Sequence, residues 1–201
     1  MIRSPFTALA LVLTLSLAGA ALAADLFDEK QDAFTSAEPK IELTRPDAAW
    51  LFVHLDVQRQ EAEAARPGSS KEFEGLIARL HCPGQKATIS VFSFPLSNPP
   101  PDLDRLAAHA AQEARARKDG AIGGQSQVAL GGRQVVMTDY SATIEQAAGG
   151  ARAGETYVYS RIDCLEPESN RALVILFEVP KEKAKGAVGG WKKVLQKLKL
   201  V

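Results

Sequence analysis

The sequence predicts an α+β domain built on an antiparallel sheet, and three observations lead there. Alternating runs arrive in pairs joined by short turn-rich links: Leu76–Cys82 with Ala87–Phe94 through Pro83-Gly84-Gln85, and Thr156–Leu165 with Arg171–Val179 through residues 166–170. Only two segments carry a sustained helical period, one mid-chain and one at the end. Strands and helices do not alternate one for one, as a parallel βαβ design would need.

The chain opens with Met1-Ile2-Arg3, an apolar run from Leu9 to Leu17, and Ala21-Leu22-Ala23. A positive start, a short apolar middle and an Ala-x-Ala end are the parts of a secretory signal peptide, here residues 1–23 with cleavage near Ala23. The apolar run falls short of the ~20 residues that span a bilayer, and no later stretch reaches that length. The expected product is therefore exported, periplasmic or secreted, without a transmembrane segment. Residues 24–40 lack periodicity and read as a flexible leader, so the domain is expected over 41–201. A chain of that size buries roughly 70% of its unfolded surface as one domain. Two cysteines and 46% hydrophobic residues exclude a disordered, collagen-like or cysteine-dense class.

Within the domain, Ile41-Glu42-Leu43 alternates as a short strand, broken by Pro46. Trp50 to Val57 alternates over eight positions, which predicts a strand, and residues 58–71 read as a polar loop around Pro67-Gly68. After the first hairpin, Pro99-Pro100-Pro101 ends the strand and Asp102 is placed to cap a helix carrying Leu103, Leu106, Ala110 and Ala114. Gly120 supplies its stop. A Gly-rich connector (120–124) leads to a strand over Gln127–Leu130, and Gly131-Gly132 turns the chain into Arg133–Ile144. Ala147–Gly154 is a loop before the second hairpin. Trp191, Val194, Leu195 and Leu198 give the apolar stripe of a final helix; Gly186, Gly189 and Gly190 place its secure start near Gly190.

Charge is balanced at 24 basic and 24 acidic residues, but unevenly distributed. Residues 181–201 hold seven lysines and one acid, Glu182. This is the wet face of a final helix, with envelope contact through a basic surface as the alternative. No nucleic-acid partner is expected. Cys82 and Cys164 both fall on the apolar side of their strands, and export into an oxidising compartment makes a Cys82–Cys164 disulfide the expectation; two buried thiols are the alternative.

Ile41-Glu42-Leu43, Pro46 and Trp50-Leu51-Phe52 resemble the opening of PsbP-like domains. The proline-led helix with Leu103 and Leu106, the Gly131-Gly132-Arg133 hairpin and the closing helix with Trp191 and Leu195 are similar too. The resemblance spans about residues 40–200. It implies one antiparallel sheet sandwiched by helices, in a family that includes a photosystem subunit, a Ran-binding nuclear protein and many exported bacterial proteins. What those members share is a scaffold for contacts. The cysteine that would carry a lipid anchor is absent from the cleavage point, so the resemblance does not extend to an anchor.

Catalytic patterns are weak. Gly124-Gln125-Ser126-Gln127-Val128 lacks the closing glycine of a nucleophile elbow, and glycines 120, 123 and 124 lack phosphate-loop spacing. His54 and His81, each on an expected strand, make a candidate metal pair with Asp56. His109 reads as an exposed helix residue. Asp139 and Asp163 face one another in this reading, with Arg161 supplying an ion pair. Tyr157, Tyr159 and Arg161 project together from one strand, and their chemistry is that of contact hot spots. They are the expected partner-binding residues, unless they pack beneath a helix. The function expected is thus a non-catalytic, exported binding domain for a protein partner in the envelope, needing no cofactor. A metal-dependent protein or enzyme using His54, His81 and a nearby carboxylate is the alternative.

Overall fold

A computed structural model describes residues 26–145 and 153–200. The expected signal peptide, and residues 147–152 of the expected loop, lie outside the described residues.

Strand β10 (Arg171–Pro180) organises the molecule. Its sequence, Arg-Ala-Leu-Val-Ile-Leu-Phe-Glu-Val-Pro, is buried at every position after the first. A strand apolar on both faces must be covered on both faces. It lies fourth from one end of an eight-stranded sheet in the order β1 (Phe27–Asp28), β4 (Leu51–Val53), β5 (Leu76–Cys82), β6 (Ala87–Pro95), β10, β9 (Thr156–Glu166), β8 (Arg133–Thr143), β7 (Ala121–Leu130), counted from the β7 edge. Every pairing is antiparallel. A second sheet, β11–β3–β2, joins β2 (Ala33–Ala37) and β3 (Lys40–Thr44) to the late strand β11 (Lys199–Leu200).

Helices cover both faces, as the sequence predicts. On one face, α1 (Leu55–Ala65) and α2 (Leu103–Ala116) contribute Ala62 and Ala114 to a core with Leu76, Phe92, Val174 and Leu176. On the other, α3 (Ala184–Lys197) sets Ala187, Trp191 and Val194 against Leu80, Ile175 and Phe177, with Ile41 and Leu43 of the small sheet beside them. The Trp191 and Phe177 rings stack at 5.3 Å. Asp102 caps α2 as expected, its Oδ1 accepting from Arg105 N at 2.8 Å.

Several expectations are corrected. The residues read as a leader are structured from 26 onward: Leu26 is buried and β1 and β2 both lie before residue 40. The expected strand Trp50–Val57 ends at Val53, and α1 replaces its second half and much of the polar loop. The alternation of Leu55 and Val57 imitated a strand, while buried Gln58 and Ala62 carry the helical spacing. The Gly-rich connector belongs to β7, which runs ten residues.

The Cys82–Cys164 disulfide is also overturned, since both are buried free thiols. Both do face the same core. But β6 and β10 separate their strands, which puts them about 14 Å apart across the sheet alone. A bridge needs Cα atoms within about 7 Å. Burial pushes the Cys164 thiol up to about 11 and raises that of Cys82.

The final helix starts at Ala184, through the glycines expected to delay it. Gly190 has a packing reason to be there: a Cβ on it would lie 2.6 Å from Trp50 Nε1. A Cβ on Gly189 would meet nothing within 4 Å. Gly189→Ala should therefore stabilise the protein by roughly 0.5–1 kcal/mol, and Gly190→Ala should destabilise it by roughly 1–3 kcal/mol. Urea unfolding of the two variants checks both signs.

Candidate functional site

The chemistry-bearing side chains gather in a polar layer between the sheet and the two helices of the α1/α2 face. Register builds it. His81, Thr88, Glu178, Tyr159 and Tyr140 are successive cross-strand partners in one row from β5 to β8. The adjacent row is Arg79, Ser90, Leu176, Arg161, Thr138 and Gln125. Side chains opposite one another on neighbouring strands lie within contact distance, so the rows merge into one stripe.

Arg161 anchors the α2 side. Its Nε donates to both carboxylate oxygens of Asp163, at 3.0 and 2.8 Å, and its Nη2 donates to Oδ1 at 2.7 Å. Its Nη1 meets Glu113 of α2. Burial works against the guanidinium charge, but Asp163 and Glu113 outweigh it and hold Arg161 above its ordinary range. Beside it, the Tyr140 and Tyr159 rings stack at 4.7 Å, with Arg117, at the end of α2, 4.8 Å over the Tyr159 ring. Burial pushes both tyrosine hydroxyls up. On the α1 side, Arg79 donates to Ser90 Oγ at 3.0 Å and to Gln58 Oε1 at 2.8 Å.

Glu178 sits between these halves. It is 2% exposed, and its Oε1 has no hydrogen-bond partner. Burial pushes its carboxyl up to about 7, against the pull of Arg79 and Arg117. Sequence reasoning missed Glu178, Arg79 and Arg117. For two of them a signal was present: Glu178 interrupts the apolar run from Ala172 to Val179, and Arg79 separates Ala78 from Leu80. A lone charge inside a run buried on both sides has to find a partner indoors.

The sequence-predicted residues divide. Tyr157, Tyr159 and Arg161 do project together, but they are 2%, 1% and 5% exposed, within the layer covered by α2. They are corrected from a partner-contacting face to a buried layer. The Arg161–Asp163 ion pair holds as read, whereas Asp139 is exposed and pairs with Ser160 on the opposite side of the sheet. His54 is exposed at the start of α1, and Asp56 pairs with Arg59. His81 instead stacks on Phe27 at 5.8 Å, with Nδ1 3.3 Å from Thr88 Oγ1. Among the described residues no three His, Cys, Asp or Glu side chains gather as a metal site. His109 lies 3.9 Å from Glu113.

The second feature is open. Strand β7 forms one edge of the large sheet, and among the described residues it pairs only with β8. Its ten residues, Ala-Ile-Gly-Gly-Gln-Ser-Gln-Val-Ala-Leu, include no charge and no proline, and seven of them are exposed. Gln125 and Gln127 are tied back to α2, through Ala107 O at 2.8 Å and Asp104 Oδ1 at 2.9 Å. The opposite edge, β1, is two residues long and carries Asp28.

Among the described residues, no helix is long and apolar enough to cross a membrane. The sequence matches no protein-family model and no curated protein. Among solved structures, the chain is similar to LpqN of Mycobacterium tuberculosis, a protein involved in cell envelope biogenesis. The TM-score is 0.55 at 12% identity, over 92% of this chain and 97% of that one. It is also similar to the cyanobacterial PsbP (CyanoP) of Synechocystis sp. PCC 6803, with a TM-score of 0.50 at 8% identity, over 88% of this chain and 94% of that one. The chain thus has the PsbP-like fold: an α+β domain with a large antiparallel sheet and, among the described residues, three α-helices.

The pKa shifts give the layer a pH signature. A carboxyl raised on folding stabilises fully below its ordinary value, 4.5 for Glu178, and progressively less as pH climbs through about 7. His81 works the other way: burial, then the Arg79 charge, lower it from 6.5 to about 4. Its contribution is present above 6.5 and lost as pH falls. Glu178→Gln removes only the first slope. The stability of wild type minus that of the variant, from urea unfolding, should fall by about 3 kcal/mol between pH 4.5 and 8. A difference that stays flat would rule out this account of Glu178.

Proposed function

We propose that this chain is an exported, non-catalytic domain of the cell envelope that binds a protein partner, and that it does so through the β7 edge. The observation that carries this reading is that edge: ten uncharged residues whose outer row of backbone N–H and C=O groups meets no other strand among the described residues. An extended segment adds to such an edge by main-chain hydrogen bonds. The polar layer supports the reading from the other side. Apart from Glu178, its charged side chains hydrogen-bond to one another or to neighbouring polar groups, or stack on a tyrosine ring, beneath α1 and α2, which suits a scaffold held rigid better than a site open to substrate. The signal-peptide pattern and the fold shared with LpqN, a protein of cell envelope biogenesis, favour the envelope as the place of action.

A photo-crosslinking residue placed at Ser126 should give a defined protein adduct in envelope extract, and one at exposed Lys71 should not. Equal labelling from both sites, or none from Ser126, would remove the reading.

A second reading rests on α3, where Lys185, Lys192, Lys193 and Lys197 are all exposed. Such a face attracts anionic lipid. Binding to anionic vesicles should weaken as salt rises, and a Lys192→Glu/Lys193→Glu variant should bind several-fold less in a sedimentation assay.

A further inference from the structure

We infer that the occupant of the β7 edge is a second copy of this chain, paired β7 to β7 about a twofold axis so that two eight-stranded sheets join into one. This deepens the reading above and rests on it.

Natural edges are blunted by charge, proline, brevity or a bulge. The two edges of this sheet differ sharply in that respect. β1 is short and bears Asp28, whereas β7 is long, and its one irregularity, between Ile122 and Gly124, lies near its start. From Gly124 to Leu130 the register with β8 is regular, and among the described residues no strand pairs with its outer side.

The symmetry of a self-pairing explains the composition. In an isologous contact each residue faces the same surface of its copy, so a charge near the axis meets its own sign. A foreign strand could complement charges on β7. A second copy cannot, and β7 has none.

The register follows from the pleat. A twofold axis normal to a continuous sheet must pass through a residue position, because opposed residues share a face. Ser126 lies within Gly124–Leu130, which keeps one register with β8, and it is the small residue with a glutamine on each side. With the axis there, Ser126 meets Ser126, Gln125 meets Gln127 and Gly124 meets Val128. A small side chain lies on the axis, neutral amides capable of both donating and accepting come next, and Gly124 faces Val128 beyond them. The glutamines are already oriented by Ala107, Thr138 and Asp104.

Light scattering and sedimentation of the mature protein should show a concentration-dependent species of twice the chain mass. Ser126→Lys, at an exposed position, sets two like charges on the axis; it should raise the dimer dissociation constant at least tenfold while leaving the circular dichroism unchanged. Ser126→Cys should form a disulfide-linked dimer under mild oxidation, since Cα atoms opposed across an antiparallel pair lie about 4.5–5.5 Å apart. A cysteine at exposed Lys185 should not. A dimer indifferent to Ser126→Lys, or a monomer at all concentrations, overturns the inference. A monomer whose Ser126 crosslinks to a different protein overturns the second copy and leaves strand addition standing. A monomer with no Ser126 adduct overturns both.

Discussion

The fold depends on the two-sided burial of β10. A strand of this composition cannot lie at a sheet surface, so the chain has to supply a cover for each face. One comes from α3 and the small sheet, the other from α1 and α2. The central position of β10 also sets the connectivity. After β6 the chain crosses to the far edge by way of α2, and β7, β8 and β9 then return strand by strand until β10 closes against β6.

The same burial explains why the polar layer is internally paired. Ionic groups removed from water stay stable only when their partners come with them. Arg161 has Asp163 two residues along its own strand and Glu113 from the helix above. Arg79 has a neutral amide and a hydroxyl. Glu178 is served worst, and it meets the deficit by holding its proton more tightly. Tyr140, Tyr159 and Arg117 stack beside it, so α2 is tied to the sheet by ring faces as well as by ions.

Much of the architecture was legible in the sequence. The hairpins Leu76–Cys82/Ala87–Pro95 and Thr156–Glu166/Arg171–Pro180 carry strong alternation or unbroken apolar runs, and their boundaries hold to within a residue or so. Asp102 marks its helix because a cap is a local chemical event. What failed needed tertiary information. The first turn of α1 imitates a strand until its packing beside β5 is known. The glycines of α3 look like weaknesses until Trp50 presses against Gly190. Parity placed Cys82 and Cys164 on one face, yet parity says nothing of how many strands lie between them. The exposure of Tyr157, Tyr159 and Arg161 hinged likewise on where α2 would lie.

The small sheet has a kinetic meaning. Its middle strand, β3, is held by β2 on one side and by β11 on the other, and Lys199 reaches Glu42 across 157 positions of chain. That contact closes a long loop, and its closure entropy is lost before the corner gains any contact energy. A growing chain therefore lacks the last piece of this corner until β11 has emerged.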